Sequence, residues 1–136
     1  MRKELFNENG VYFAMEYNAK KGWVYADFIG YLTLEEAKKA AASIPGFITE
    51  MGASKLLIDN TRQEGSWDEL NDWVANTWMP RILESGVKRY GHVLSKDVFT
   101  ALSAEELSRS VHEYNFEFQM FGTKEEAEEW LTEVTA

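Results

Sequence analysis

The sequence predicts one α/β domain in which a mixed, mostly parallel sheet is covered by helices. Three observations predict this class. Four helix-start signatures recur along the chain, strand-like apolar runs lie between them, and the first two runs flank a short polar loop. A length of 136 residues with 45% hydrophobic residues suffices for one core, so we predict a single domain spanning 1–136.

The predicted helices begin where a hydroxyl residue is followed three positions later by glutamate. In such a capping box the hydroxyl accepts from a free backbone N–H of the first turn, and the glutamate accepts from the N–H of the cap residue. The matches lie at 33–36, 66–69, 103–106 and 123–126. Each opens an amphipathic segment, so we predict four helices.

Two strands are predicted before the first helix. Residues 11–17 alternate apolar and polar side chains, and residues 23–30 follow after a polar loop that ends at Gly22. This spacing is typical of an antiparallel hairpin.

Three further strands are predicted between and after the helices. Residues 55–60 contain the unbroken apolar run Leu56-Leu57-Ile58, which is typical of a central strand buried on both faces. Residues 90–95 form the fourth strand. Residues 114–121 alternate and form the fifth, near an edge. The predicted order is ββαβαβαβα, a five-stranded sheet with an N-terminal antiparallel hairpin.

Proline interrupts two of the predicted helices. The first helix, from about Leu34, meets Pro45-Gly46, where we expect a kink or a break before a second piece ends at Gly52. The second helix is predicted over 67–84 and contains Pro80, which is expected to bend it.

Charge and composition exclude several classes of function. The net charge is −9, and such a field repels phosphate backbones and anionic lipid heads. We therefore expect no nucleic-acid binding. The absence of a long apolar run predicts no membrane insertion. The absence of cysteine excludes thiolate catalysis and cysteine-bound zinc, and it fits a reducing, cytoplasmic location.

Catalytic patterns are missing from the sequence. The two histidines, His92 and His112, match no metal-binding spacing, and there is no nucleophile elbow and no phosphate loop. We expect no enzyme, no metal site and no cofactor, with His92 as a hydrogen-bonded histidine of the sheet. An enzyme would need carboxylate chemistry that the sequence does not single out.

A polar rim is predicted where two central strands end. Open α/β sheets bind ligands beyond the carboxyl ends of their strands. The rim residues are Asp59, Asn60, Thr61, Arg62, Ser95, Lys96 and Asp97. This rim could hold a small polar or anionic ligand or a partner's backbone. The alternative is ordinary loop polarity and helix capping.

The second predicted helix carries large apolar residues outside the single face that would pack against the core. At about 100° per residue, Trp67 and Trp78 fall on the core stripe, whereas Trp73 and Met79 point away from it on opposite sides. Neighbouring helices could cover these residues. Alternatively they form a protein interface, most simply a two-fold homodimer, or an apolar-ligand groove.

The order of elements and several segments resemble the STAS-like superfamily of anti-sigma-factor antagonists, with the SpoIIAA-like fold. The segments are 56–62, 65–67, Trp73, 78–80, 95–99 and 121–127. More narrowly, the chain resembles small stand-alone bacterial domains of this type without assigned activity. The resemblance implies a phosphosite at Ser66, although the antagonists carry Asp-Ser-Ser-Gly there and this chain reads Glu-Gly-Ser-Trp over 64–67. A helix N-cap also accounts for Ser66.

The sequence therefore predicts a non-enzymatic protein-interaction or regulatory module of STAS-like type, which binds a protein partner or itself. The alternative is a carrier or sensor of a small apolar ligand or lipid, with a pocket near the helix over 66–84.

Overall fold

The computed structural model describes residues 1–64, 68–93 and 117–133. Three strands and a helix come first: β1 (Arg2–Asn7), β2 (Gly10–Asn18), β3 (Trp23–Tyr31) and α1 (Leu34–Met51). The next strand is β4 (Lys55–Glu64). A composite helix follows, made of a 3₁₀ turn (Asp68–Leu70), α2 (Asn71–Trp73), a π-helix (Val74–Trp78) and α3 (Met79–Ser85). The last described elements are β5 (Arg89–Val93), β6 (Glu117–Phe121) and α4 (Lys124–Thr132).

The sheet confirms the predicted fold class and adds one strand to it. Its order is β1-β2-β3-β4-β5-β6, with antiparallel pairing from β1 to β3 and parallel pairing from β3 to β6. The five-stranded prediction missed β1, because its Arg2-Lys3-Glu4 start shows no apolar alternation. The strand forms by pairing with β2, and the guanidinium of Arg2 donates a hydrogen bond to the carboxylate of Glu16, its register partner on β2. The predicted helix that opens at 103 lies outside the described residues.

Helix α1 begins and ends at the caps that the sequence indicates. Thr33 and Glu36 form both hydrogen bonds of the capping box. At the other end Gly52 adopts the left-handed conformation with φ 67°, which glycine tolerates best.

The expected break at Pro45 is absent: α1 continues through this proline to Met51. Proline removes the N–H that would bond the carbonyl of Ala41 four residues earlier. The indole N–H of Trp78 donates to this carbonyl at 2.6 Å instead. Burial of Ile44, Phe47 and other residues of the same helix adds the packing that offsets the remaining cost.

Pro80 has a different effect in the composite helix, which is irregular over residues 68–85. Just before the proline, the N–H of Met79 bonds to the carbonyl of Val74, which is an i→i+5 bond. This π-helix takes up about one extra residue per turn. In place of a simple bend near Pro80, the helix therefore changes from α to π hydrogen bonding, and the side chains after Trp78 are rotated about the helix axis.

Helices cover both faces of the sheet. We call one the two-helix face, which α1 and the composite helix cover over a core that includes Phe13, Leu56 and Ile82. The other is the α4 face, where α4 packs over Leu57 and Val93. None of the helices in the described ranges is long and apolar enough to cross a membrane.

Candidate functional site

The predicted rim residues of β4 lie inside the strand rather than beyond it, because pairing with β3 continues to Glu64. Side chains of a strand alternate between faces. Asp59 therefore lies on the α4 face and Asn60 on the two-helix face. The predicted rim is thus divided into two clusters, one on each face. Arg62 joins the cluster of Asp59, because it follows a register shift in the pairing of β3 with β4 and its guanidinium contacts Asp27. The other rim residues, Ser95, Lys96 and Asp97, lie outside the described residues, as does Ser66.

The cluster on the α4 face, here called the charged cluster, consists of Tyr25, Asp27, Asp59, Thr61 and Arg62. Asp27 and Asp59 are register partners on adjacent parallel strands. Both are only 5% exposed. Two carboxylates are therefore held side by side under a largely closed surface.

Asp59 is well satisfied by hydrogen-bond donors. The hydroxyl of Tyr25 donates to its Oδ2 at 2.5 Å. The backbone N–H and the hydroxyl of Thr61 donate to its Oδ1 at 2.9 and 2.6 Å. Burial, followed by the hydrogen bond to Asp59, raises the pKa of Tyr25 well above its usual range, so the phenol stays a donor at neutral pH.

Asp27 is satisfied on one oxygen only. Arg62 forms an ion pair with its Oδ2. Within the described ranges its buried Oδ1 has no hydrogen-bond partner. Burial raises the pKa of Asp27, and the neighbouring Arg62 offsets part of this rise. The side chain of Arg62 is 61% exposed, so it reaches the buried carboxylate from solvent.

The second cluster, here called the neutral cluster, consists of Asn60, Tyr90 and His92 on the two-helix face. The amide nitrogen of Asn60 lies 2.9 Å from Nε2 of His92, and the hydroxyl of Tyr90 lies 2.7 Å from Nδ1. Burial lowers the pKa of His92 to about 4. The imidazole is therefore neutral, accepts from the amide at Nε2 and donates from Nδ1, which confirms the prediction of a hydrogen-bonded sheet histidine.

Sequence reasoning missed Tyr25 and Asp27. The signal was present, since Asp27 is a lone acid between Ala26 and Phe28 in a predicted strand. A carboxylate in such a run requires a partner. The partner comes from β4, and single-strand patterns do not show register.

A cleft of about 200 Å³, partly open to solvent, has Tyr25 of the charged cluster in its lining. Its lining residues come from β1, β2, β3 and α4: Arg2, Glu16, Asn18, Trp23, Tyr25, Lys124 and Glu128. The ammonium of Lys124 lies 4.1 Å from the centre of the Tyr25 ring, a cation–π contact. Within the described ranges, no three histidine or carboxylate side chains converge as metal ligands would.

The composite helix corresponds to the second predicted helix, and other parts of the chain cover most of its apolar side chains. Trp78 and Met79 are 2% and 0% exposed, so the expectation that Met79 points away from the core is wrong. The π-helix moves the following residues by about one position, roughly 100°, and turns Met79 inward. Trp73 remains half-buried, and Trp67 lies outside the described residues.

Trp73 borders a small apolar space. The space encloses about 20 Å³, and its lining is Phe28, Ala37, Ala41, Leu70, Trp73 and Val74. Most ligand pockets of proteins enclose 300–1,000 Å³, as an order-of-magnitude guide. The space beside Trp73 is far smaller and has room for about one water molecule.

Three large apolar side chains lie exposed at the end of the sheet where β3 terminates. Phe6, Tyr31 and Leu34 are 65%, 73% and 43% exposed. Phe6 pairs with Val11 at the start of β2, which runs antiparallel to β3 and therefore begins where β3 ends. Leu34 opens α1 just after Tyr31. We call these three residues the apolar patch.

A hydrogen bond holds this end of the molecule together. The side-chain amide of Asn7 donates to Glu36 of α1 at 2.8 Å, and Glu36 also accepts from the backbone of Thr33. The end of β1 and the first turn of α1 are thereby fixed next to each other.

Comparisons with known proteins give a similarity to a solved structure without an assigned activity. No family model matches the chain, and no curated protein matches it. It is similar to the solved structure of an uncharacterized protein of the DUF3478 family with a SpoIIAA-like fold, from Shewanella loihica PV-4. The match covers 86% of this chain and 90% of that chain, with 20% identity and a TM-score of 0.49. This likeness concerns the fold alone.

Proposed function

We propose that the protein is a non-enzymatic interaction module of STAS-like type that docks a protein partner on the apolar patch. The single observation that supports this proposal best is the exposure of Phe6, Tyr31 and Leu34 at one end of the sheet. Isolated apolar residues on a surface need no explanation, but several together favour a binding surface.

The charges around the apolar patch favour a basic partner. Glu8, Glu35 and Glu64 are exposed next to its members in sequence or in register. The whole chain carries a net charge of −9, which repels a second copy and attracts a basic surface. The proposed partner is therefore a protein with an apolar centre and a basic rim, rather than a second copy.

The test compares partner recovery between two variants of the tagged full-length protein in its host. Phe6→Ser, Tyr31→Ser and Leu34→Ser together remove the apolar patch. Lys20→Ser and Lys21→Ser together change exposed residues of the turn between β2 and β3, at the opposite end. Quantitative mass spectrometry is expected to recover a basic protein with the wild type and the lysine variant, and at least tenfold less with the patch variant.

Salt is the second measurement in this test. Recovery of the partner is expected to fall as salt rises, because a basic rim facing glutamates is screened. Equal recovery with the patch variant, or no protein specific to the wild type, would overturn the proposal. Self-association seen by analytical ultracentrifugation and lost in the patch variant would show that the occupant is a second copy.

A second candidate, a carrier of a small apolar ligand, is favoured by the lining of the space beside Trp73, but it requires this space of about 20 Å³ to widen when the ligand binds. Its six lining residues are apolar without exception. Trp73 fluorescence is expected to shift on adding an apolar probe such as benzene, and Ala37→Leu is expected to abolish that shift by filling the space. A spectrum that does not change up to saturation would exclude this candidate.

A further inference from the structure

We propose that Asp27, Asp59 and Tyr25 form a binding site for an organic cation of the guanidinium class. Tyr25 connects this site to the cleft, because it lines the cleft and donates a hydrogen bond to Asp59. This inference does not depend on the apolar patch, and it concerns a different surface of the molecule.

The first support is the unused oxygen of Asp27. Its Oδ1 is buried without a partner in the described part of the chain, while Asp59 receives three hydrogen bonds. A buried carboxylate oxygen left unsatisfied is costly, and a donor that reaches it is favoured. Because Asp27 is 95% enclosed, such a donor has to be compact.

The second support is the way Arg62 binds. Only Nη2 of its guanidinium contacts Asp27, at a single oxygen. A guanidinium can instead engage both oxygens of a carboxylate in parallel, which is the stronger geometry. Since 61% of the Arg62 side chain is exposed, it can move aside without unpacking the core. Arg62 therefore acts as a tethered cation that a better-placed guanidinium can displace.

The third support is a cation that already lies at the site. Lys124 already places an ammonium on the face of Tyr25, at 4.1 Å from the ring centre. The charge of Lys124 also acts on Asp27, where it lowers the pKa of the carboxyl group against the larger effect of burial. Aromatic faces beside carboxylates are the surroundings that planar organic cations prefer.

The experiment is an NMR titration of the uniformly ¹⁵N-labelled full-length protein with methylguanidinium chloride up to 50 mM. The reference is sodium chloride at equal ionic strength. We expect saturable shifts at the amides around Asp27 and Asp59, with a dissociation constant on the order of 1–10 mM. Shifts that do not saturate, or that sodium chloride reproduces, would overturn the proposal.

Three variants test the role of the site. Asp27→Asn is expected to weaken binding at least tenfold, whereas Asp72→Asn, which changes an exposed acid of the composite helix, is expected to leave it unchanged. Arg62→Ala removes the tethered competitor and is expected to tighten binding about threefold to tenfold. Unchanged or weaker binding by Arg62→Ala would contradict the proposal even if Asp27→Asn fails to fold.

A second ligand distinguishes two sources of the same chemistry. N-acetyl-arginine amide carries the guanidinium as it occurs on a protein. Equal binding of both compounds supports a site that accepts a partner's arginine. Binding of methylguanidinium alone supports a site for a free small cation. Failure of both compounds would overturn the proposal without affecting the proposed docking at the apolar patch.

Discussion

The two faces of the sheet carry polar clusters of opposite character, although neighbouring residues of one strand build them. Asp59 faces the charged cluster with Asp27, Tyr25 and Arg62, whereas the next residue, Asn60, faces the neutral cluster. The difference follows from what covers each face. Two helices bury the neutral cluster completely, whereas Arg62 links the charged cluster to solvent.

This comparison shows how strand alternation separates a neutral, fully buried environment from a charged one that Arg62 reaches from solvent. Burial favours neutral, hydrogen-bonded groups, as Tyr90 and His92 are, although Oδ1 of Asn60 has no hydrogen-bond partner among the described residues. A buried carboxylate such as Asp27 persists where a solvent-exposed cation reaches it. The two clusters are therefore expected to respond differently to truncation, acid and charge removal.

The largest effect is expected from truncating the neutral cluster. Tyr90 is 1% exposed and packs edge-on against Trp78 and Phe118, with ring centres 6.1 and 4.8 Å apart. Tyr90→Ala should lower the free energy of unfolding by about 3–5 kcal/mol, because it removes a buried ring and leaves a cavity. Urea denaturation measures this, with the exposed Tyr31→Ala as the control. Equal losses in the two variants would contradict the account.

The next effect is expected from acid acting on His92. Its folded-state pKa of about 4 lies below the ordinary 6.5. As pH falls from 6.5 to 4, the unfolded chain binds a proton that the folded chain does not, so stability falls. At pH 4 this protonation of the unfolded chain lowers the free energy of unfolding by about 3 kcal/mol. Urea denaturation of His92→Gln between pH 7 and 4 should show a smaller fall in the free energy of unfolding than that of the wild type. If the free energy falls equally in both proteins, His92 is not the source of the pH dependence.

A smaller effect is expected from removing the cation of the charged cluster. Arg62→Ala leaves the buried carboxylate of Asp27 without its ion pair. The cost is about 1–3 kcal/mol, below that of a fully buried pair because Arg62 is largely exposed. Arg81→Ala, which removes another exposed arginine, is the control and should cost less than about 0.5 kcal/mol in the same denaturation assay. If both variants are equally stable, the ion pair has no structural role.

The smallest effect is expected from acid acting on Asp27, and its sign is opposite to that of His92. Burial raises the folded-state pKa of Asp27 above the ordinary 3.8. Its contribution is therefore fully present below pH 3.8 and is lost as pH rises through the folded-state pKa. The stability difference between wild type and Asp27→Asn should move in favour of the wild type as pH falls through this window. A difference that moves the other way, or that Asp72→Asn reproduces, would refute this assignment.

Much of the fold could be predicted from the sequence because it depends on local signals. The caps at Thr33 and Thr123 and the left-handed Gly52 act through neighbouring backbone atoms. The central strand around Leu57 is recognisable from its apolar run. Strand β1 was missed, because its place in the sheet depends on pairing with β2 and hardly on its own residues.

The site could be predicted only in part, because its geometry depends on the register between β3 and β4 and on the π-helix before Pro80. Asp59 and Arg62 were identified from their position near a strand end. Asp27 joins them through register with Asp59, which no single-strand pattern shows. Met79 was placed outside the core because a regular helix was assumed. The π-helix before Pro80 changes its direction, and this depends on the backbone hydrogen bonds around the proline.

The central claim is that the end of the sheet with the apolar patch docks a basic protein, and site-specific photo-crosslinking in the host tests it most directly. A photo-reactive phenylalanine analogue replaces Tyr31 in one strain and Lys20 in another, both at exposed positions. The account predicts a single prominent crosslink from position 31, to a basic protein, and none to that protein from position 20. The same crosslinks from both positions, or none from position 31, would contradict it.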